Sequence, residues 1–228
     1  MKNIVITGGS KGIGKKILIY LSKNYRIINL SRSKSNVKSV ENIYCDVSDH
    51  SSVKNALKRI KKINVLINNA GISKYSNKSI ENFNKIIDVN LKGIFYCCYE
   101  AIPKLKKNKN SKIINIASIN AYAAFPNNPG YVASKAGVVA LTKSLALDYS
   151  KFDININSIS PGYINTGMAK NSFQKLKERK KRTDRTMLKR FGKPEDLFGV
   201  IDLLISNKSS YITGQDFIID GGWLSKGF

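Results

Sequence analysis

The sequence has few of the residues from which metal and thiol sites are built. Among 228 residues there is one histidine, His50, and there are three cysteines, Cys45, Cys97 and Cys98. No His, Cys and carboxylate cluster has the spacing of a metal site, so we expect no metal in the chemistry. An odd number of cysteines without a Cys-x-x-Cys pair indicates reduced packing residues, and the lone histidine is expected at the surface near a helix start.

Long apolar runs are also lacking. No stretch approaches the roughly 18 residues needed to cross a bilayer. Residues 1–6 enter a predicted strand at once, with neither the apolar h-region nor the cleavage site of a signal peptide. We therefore expect a cytoplasmic protein without a membrane partner.

Acidic residues are scarce. Fifteen Asp and Glu stand against 39 Lys and Arg, which gives a formal net charge of +24. A polyanion-binding protein is one interpretation of this charge. However, lysine is spread along the whole chain and no signature of a nucleic-acid-binding fold is visible. We expect non-specific polyanion binding at low salt and no specific nucleic-acid partner.

Apolar strand-like segments alternate with helical patterns along the chain. The predicted strands are 3–7, 26–30, 43–46, 65–68, 112–117, 155–160 and 216–219, and the predicted helices are 12–22, 49–61, 80–107, 130–150 and 195–206. Continuously apolar strands between helices predict an α/β fold, with a parallel sheet of about seven strands covered on both faces. Segment 31–42 is too short for a full crossover helix, and the length favours a single domain over 1–228.

A glycine-rich loop follows the first predicted strand. Gly8, Gly12 and Gly14 allow a tight turn and a close backbone approach, and the next helix presents its N–H groups and positive dipole end. A loop in this position predicts a site for the pyrophosphate of a dinucleotide.

The end of the second strand selects the cofactor. An acidic residue there would bind the ribose 2′-hydroxyl of NAD, but no Asp or Glu precedes Glu41. Ser31 and Arg32 lie at this strand end, and Lys11 lies in the glycine loop. Two cations without an acid suit a 2′-phosphate, which predicts NADP, although both belong to a large set of basic residues.

Tyr131 and Lys135 are four positions apart in a predicted helix and therefore share one face. A nearby ammonium favours tyrosinate, so we expect the pKa of Tyr131 to lie below its usual value of about 10. Such a tyrosine would transfer a proton at working pH. Ser118, thirteen positions earlier, would hold the group that is protonated.

Taken in order, these motifs closely resemble those of the short-chain dehydrogenase/reductase family over nearly the whole chain. The resemblance rests on Thr7-Gly8-x-x-x-Gly12-x-Gly14, Asp46-Val47, Asn68-Asn69-Ala70-Gly71, Asn90, the set of Ser118, Tyr131 and Lys135, and Pro161-Gly162 with Thr166 beyond. The chain is shorter than the family pattern after the second strand and around the fourth helix, which concerns the adenine side of the site rather than the chemistry.

The resemblance implies a Rossmann-type, doubly wound sheet with a cofactor half over about 1–110 and a catalytic and substrate half over about 111–228. It implies hydride transfer between NADP(H) and a carbonyl or secondary alcohol, with Asn90, Ser118, Tyr131 and Lys135 as the catalytic tetrad. The implied cofactor contacts are Gly8, Ser10, Lys11, Gly12, Ile13, Gly14, Ser31, Arg32, Asp46, Val47, Asn69, Ala70, Gly71, Tyr131, Lys135, Pro161, Gly162, Ile164 and Thr166.

The substrate is less well defined. The polar segment 164–193 is expected to be an irregular lid, and its residues 170–190 carry ten Lys and Arg against Glu178 and Asp184. Such a lid would attract an anionic carrier, and the chain most resembles β-ketoacyl-acyl-carrier-protein reductases. A solvated basic helix without a partner is the alternative for the lid. Sugar and polyol dehydrogenases and keto-sugar reductases of polysaccharide pathways remain alternatives for the substrate.

Two further classes of protein stay open. One is a nucleotide-binding module without catalysis, although the presence of both Tyr131 and Lys135 argues against it because such a module does not need them. The other is a polyanion-binding protein. The family resemblance also implies a homodimer or homotetramer formed by the two long predicted helices.

Overall fold

The computed structural model describes residues 1–74, 76–166 and 176–226. Seven strands form its sheet: β1 (Asn3–Thr7), β2 (Arg26–Ser31), β3 (Val40–Tyr44), β4 (Val65–Asn68), β5 (Ser111–Ile116), β6 (Ile154–Pro161) and β7 (Asp216–Ile219). Their order is β3-β2-β1-β4-β5-β6-β7, and every neighbouring pair is parallel. The predicted doubly wound parallel sheet is confirmed.

Seven α-helices accompany the sheet in the described residues: α1 (Gly12–Leu21), α2 (His50–Lys58), α3 (Ser79–Ile87), α4 (Gly93–Leu105), α5 (Pro129–Tyr149), α6 (Leu176–Arg185) and α7 (Phe198–Ile205). A π-helical turn, Asp88–Lys92, joins α3 to α4 without a break, so the long helix predicted over 80–107 is present over 79–105 with this turn in its middle. Such turns occur often at functional sites. None of the described helices is long and apolar enough to span a bilayer.

The core has two layers because successive strand side chains point to opposite faces of the sheet. Val5, Leu66 and Ile113 pack with α2, α4 and α5 on one face. Ile4 and Ile67 pack with α1 and α7 on the other. β4, β5 and β6 are buried along their whole length, although β5 and β6 alternate isoleucine with buried polar residues instead of forming continuous apolar runs.

β3 lies at the sheet edge and differs from its predicted bounds of 43–46. Only Val40 and Ile43 of this strand are buried, and Glu41 points outward to pair with Arg26 at 3.1 Å. A half-exposed edge strand has no continuous apolar run that would mark its start. The fully described segment 32–39 contains no helix, which confirms the predicted short connection.

The lid prediction was wrong in part, because residues 176–185 form the regular helix α6. Residues 167–175 lie outside the described part of the chain. None of the residues of α6 is buried, so its sequence has no apolar stripe from which periodicity could predict a helix.

The three cysteines are free and buried, as predicted. His50 starts α2 with its side chain about half exposed, and Nε2 lies 2.7 Å from Oε1 of Glu100. The predicted surface position of this histidine is therefore confirmed. Among the described residues, no three His, Cys, Asp or Glu side chains are placed to hold a metal ion.

The strand order reverses next to β1, and this reversal marks the expected ligand site at the carboxyl edge of the sheet. The chain continues from β1 toward β2 and β3 on one side, whereas β4 and the later strands lie on the other. In open α/β sheets, ligands bind outside the carboxyl ends of the strands where this reversal occurs. The glycine loop follows β1 and Ser118 follows β5, so both lie at that edge.

Candidate functional site

The glycine loop leaves β1 with a backbone that favours glycine. The φ angles of Gly8 and Gly12 are 69° and 58°, in the left-handed region. A Cβ atom on Gly14 would lie 2.2 Å from Nδ2 of Asn69 and 2.5 Å from the carbonyl oxygen of Gly8. The start of α1 therefore packs directly against the loop, without space for a side chain.

The N-terminus of α1 suits a phosphate group. Lys11 is its N-cap residue and makes no side-chain capping bond, and the first turn contains no acidic residue. The first N–H groups of a helix lack intrahelical acceptors, and the dipole places positive charge beside them. A Cβ on Gly12 would meet no atom within 4 Å. The loop thus offers open space and unneutralised donors, which fits a dinucleotide pyrophosphate.

Asn69 and Ala70 fasten this loop to β4. Their backbone N–H groups both donate to Oγ1 of Thr7 at 3.0 Å. Nδ2 of Asn69 also donates to the carbonyl oxygens of Thr7 and Gly8, each at 3.1 Å. The predicted Asn-Asn-Ala-Gly motif therefore supports the glycine loop from the neighbouring strand.

The ends of β2 and β3 bring Arg32 close to Asp46, with Nη1 3.8 Å from Oδ2. Burial raises the pKa of the Asp46 carboxyl, but hydrogen bonds from the hydroxyl and N–H of Ser48 and the charges of Arg32 and Lys85 outweigh it, so the pKa is lowered overall. Asp46 is thus ionised at neutral pH. Val47 follows it and is buried against Gly93.

Tyr131 and Lys135 lie one turn apart on α5, which begins with Pro129 at its first position. Nζ of Lys135 lies 5.6 Å from the centroid of the Tyr131 ring and donates a 2.7 Å hydrogen bond to the carbonyl oxygen of Ile116. Lys135 is 4% exposed. A buried ammonium is thereby held between α5 and the end of β5.

Ser118 lies two residues beyond β5, and it caps the short 3-10 turn Ile119–Ala121. Its Oγ accepts from the N–H of Asn120 at 3.2 Å and donates to Oδ1 of the same residue at 3.3 Å. It also lies close enough to the phenol of Tyr131 to act against the rise in the pKa of that group. The structure therefore brings Ser118, Tyr131 and Lys135 together, as their spacing predicted.

Asn90 lies within the π-helical turn and is fully buried. Its Oδ1 accepts from the N–H of Ile72, and its Nδ2 donates to the Ile72 carbonyl, both at 2.8 Å. A Cβ on Gly71 would lie 3.3 Å from Oδ1 of Asn90 and 3.8 Å from Nζ of Lys135. Asn90 and Lys135 thus face the same glycine.

Residues 161–166 continue from the end of β6. The N–H of Gly162 donates to the carbonyl of Ile219 at 2.9 Å, and a Cβ on Gly162 would lie 2.8 Å from Cα of Asp220. Ile164 is buried and pairs with Gly192 in an isolated bridge. Thr166 is partly buried and ends this described segment.

Four aromatic residues near this edge were not predicted as site residues: Phe125, Tyr163, Phe191 and Trp223. The ring of Tyr163 lies 6.2, 5.7 and 6.0 Å from the other three, in that order, measured between centroids. They come from four distant segments, so no local spacing in the sequence could group them.

The family model and the relatives that match this chain agree on one family. A family model described as enoyl-(acyl carrier protein) reductase matches residues 17–224. The 3-oxoacyl-[acyl-carrier-protein] reductase FabG of Thermotoga maritima is 35% identical, with 97% of each chain covered. That of Rickettsia felis is 33% identical, with 98% of this chain and 97% of the relative covered.

This chain belongs to the short-chain dehydrogenase/reductase family. It is an oxidoreductase that acts on alcohol and carbonyl groups.

Solved members of the family share the fold closely. The ligand-free aldohexose dehydrogenase of Thermoplasma acidophilum has a TM-score of 0.93 at 32% identity, over 99% of this chain and 95% of that one. A gluconate 5-dehydrogenase of Burkholderia cenocepacia, in complex with NADP and tartrate, also has a TM-score of 0.93, at 26% identity over 99% and 96% of the two chains.

One expectation about this short-chain dehydrogenase/reductase site was wrong. Tyr131 is partly exposed as a residue, but its phenol group is buried. This burial raises the pKa of Tyr131 above its ordinary value, and the opposing effect of Ser118 is smaller. The same burial lowers the pKa of Lys135 to about 8. A sequence shows the spacing of two groups but not their removal from water, and here that removal dominates.

The lowered pKa of Lys135 predicts a pH-dependent stability difference for Lys135→Met. Up to about pH 8 the native state holds a buried ammonium, which disfavours folding. Between about pH 8 and 10.4 the unfolded chain binds a proton that the native state does not, so wild-type stability rises with pH. Methionine does not titrate. The variant avoids the cost of burying an ammonium but loses a hydrogen bond worth about 1 kcal/mol. We therefore expect it to be about 2 kcal/mol more stable than wild type at pH 7.

Urea unfolding at pH 7 and pH 10 measures this difference, which should shrink at pH 10. Lys143→Met, at an exposed position of the same helix, is the control and should change little at either pH. A Lys135→Met variant that is less stable than wild type at pH 7 would show that the burial is not unfavourable.

Proposed function

We propose that this protein is an NADP(H)-dependent reductase of 3-oxoacyl thioesters borne by an acyl carrier protein. The observation that carries the proposal is the grouping of Ser118, Tyr131 and Lys135 at the carboxyl edge of the sheet, beside a glycine loop suited to a dinucleotide. Bound nicotinamide supplies the hydride, and the protein orients the substrate and moves the proton. A single catalytic domain and a cytosolic location remain predictions.

The cofactor would lie across the loop after β1. Gly8, Gly12 and the N–H groups that begin α1 would receive the pyrophosphate, supported by Asn69 beneath the loop. The wider proposed contact set comprises Ser10, Lys11, Ile13, Gly14, Ser31, Arg32, Asp46, Val47, Ala70, Gly71, Tyr131, Lys135, Pro161, Gly162, Ile164 and Thr166.

The choice of NADP rests on Arg32 and Lys11. Arg32 is more than half exposed, and its ion pair with Asp46 is long at 3.8 Å, so its guanidinium retains donors for a 2′-phosphate. Lys11 is exposed at the start of α1. Asp46 offers an acidic group near the same strand ends, but its carboxylate already pairs with Arg32 and accepts hydrogen bonds from Ser48.

In the reductive direction, Ser118 would donate a hydrogen bond to the substrate carbonyl oxygen. Because the pKa of Tyr131 is raised, its hydroxyl keeps its proton at neutral pH and can donate it as negative charge develops on that oxygen. The resulting tyrosinate is stabilised by the ammonium of Lys135, one turn away. We propose that Asn90 holds a water through which the proton is replaced, since it faces Gly71 together with Lys135.

The 3-oxoacyl class is supported by the carrier-protein reductases that match almost the full chain at 33–35% identity. α6 supports it independently, because its ten residues include Lys177, Arg179, Lys180, Lys181, Arg182 and Arg185 against only two acids. A basic exposed helix attracts an acidic carrier. A sugar or polyol substrate is the second candidate, favoured by the fold similarity to an aldohexose dehydrogenase and a gluconate 5-dehydrogenase.

We also propose a homo-oligomer, either a dimer or a tetramer. α4 exposes Phe95 and Tyr99, whose ring centroids lie 6.0 Å apart, and α5 exposes Leu147. Aromatic and aliphatic side chains on adjoining long helices are typical of a surface that a second copy covers.

Removing the Tyr131 hydroxyl tests the catalytic role. We expect Tyr131→Phe to lower kcat for carbonyl reduction at least about 100-fold, because the variant lacks the hydroxyl that donates the proton in this mechanism, while NADPH affinity changes little. Steady-state kinetics and a fluorescence titration of NADPH measure the two effects.

Tyr122→Phe is the matched control. Tyr122 also carries a phenol near the β5 edge, but its hydroxyl donates to Asp216 at 2.8 Å, away from Ser118. Near-normal turnover in Tyr131→Phe would remove Tyr131 from the mechanism.

Charge reversal on α6 tests the carrier partner. The double variant Lys180→Glu and Lys181→Glu should raise KM for carrier-bound substrate about tenfold at low salt. It should leave KM for a small uncharged keto substrate unchanged. The control reverses Lys61 and Lys62, two exposed lysines that precede β4 and lie at the opposite edge of the sheet. Equal effects on both substrates would contradict carrier docking on α6.

A further inference from the structure

The basic helix α6 is held in place by few contacts. None of its residues is buried, so no apolar face packs it on the domain. Segments with few buried contacts open at low free energy. The position of α6 therefore depends on the particular groups that its C-terminal end meets.

Two arginines of α6 stack on aromatic rings beneath it. Cζ of Arg185 lies 4.0 Å from the centroid of the Trp223 ring, and Cζ of Arg182 lies 5.1 Å from that of Tyr163. Trp223 is 6% exposed although Arg185 is exposed. The indole is thus covered by a guanidinium, a favourable cation–π arrangement.

The C-terminal segment also binds the end of α6 and the turn after it through the backbone. Nζ of Lys226 donates to the carbonyl oxygen of Asp184 at 2.5 Å, which caps the last turn of the helix. The N–H of Leu188 donates to the carbonyl of Gly221 at 3.2 Å. Residues on both sides of Trp223 therefore contact α6 or its continuation.

Trp223 also contacts the segments that carry the catalytic groups. Its ring stacks on Phe125, with centroids 5.6 Å apart and planes inclined by 20°, and meets Tyr163 edge-on at 6.0 Å. Phe125 lies between Ser118 and Tyr131 in the chain. Tyr163 follows the end of β6.

We infer that Arg185 and Trp223 are positioning residues, whose stacked contact seats α6 against the segment between Ser118 and Tyr131 and thereby sets the affinity for substrate. This inference rests on the proposed function. Neither residue moves a proton or holds the reacting oxygen, so their loss acts on KM rather than on the chemical step.

The chain has a single tryptophan, so tryptophan emission reports on the surroundings of this one indole. We expect Arg185→Gln to shift the emission of the ligand-free protein to longer wavelength and to increase its quenching by acrylamide. With NADPH and a short β-ketoacyl thioester of coenzyme A, KM should rise about two- to fivefold, and kcat should stay within about twofold.

Lys177→Gln is the matched control. It removes the same charge from α6 about 12 Å away along the helix axis, so it reports the electrostatic share of any change in KM. It should leave the emission unchanged. Trp223→Phe should keep most of the affinity for the thioester, because a phenyl ring retains the stacking, whereas Trp223→Ala should reproduce the KM of Arg185→Gln.

Equal KM values for Arg185→Gln and Lys177→Gln would overturn the inference and leave the proposed function intact, as would a fall in kcat at unchanged KM. A wild-type protein that reduces no carbonyl substrate would instead contradict the proposed function and, with it, the positioning role. In that case the fluorescence comparison still decides whether Arg185 covers the indole.

Discussion

The hydrogen bond from the buried ammonium of Lys135 to the carbonyl oxygen of Ile116 is the interaction on which the site depends. Ile116 ends β5, and Ser118 follows it by two residues. Tyr131 lies one helical turn before Lys135. This bond adds to the apolar packing of α5 on the sheet and ties the Lys135 turn to the end of β5, beside which the phenol and the serine lie. The cost is a desolvated cation, whose pKa is lowered to about 8, so stability is given up for geometry.

The cofactor side of the site is also built from polar groups that hydrogen bonds hold at the carboxyl edge of the sheet. Asn69 supplies donors to the backbone of the glycine loop, and the uncapped start of α1 leaves its own donors to a ligand. Asn90 joins the two halves of the site, because it holds the backbone of Ile72 and faces Gly71 together with Lys135. Both asparagines are held by hydrogen bonds to backbone atoms, and Asn90 also donates to Oγ of Ser134.

The sequence predicted the parts of the structure that follow from local pattern, and it failed where burial or distance decides. Isoleucine-rich segments located the buried strands, and the four-residue spacing of Tyr131 and Lys135 placed them on one helix face. The edge strand β3 and the solvated helix α6 have no such apolar signal. The pKa of Tyr131 was expected to fall and instead rises, because burial cannot be inferred from a four-residue spacing. The aromatic residues around Trp223 come from segments far apart in the chain, so no local pattern could predict that they meet.

The most direct test of the central claim is the consumption of NADPH and NADH by the purified protein against a β-ketoacyl thioester and several keto-sugars. We expect turnover of the thioester with a preference for NADPH. Turnover of keto-sugars alone would move the substrate to carbohydrates, and a preference for NADH would contradict the role given to Arg32 and Lys11. Salt-dependent nucleic-acid binding without NADPH affinity or any turnover would contradict the account as a whole.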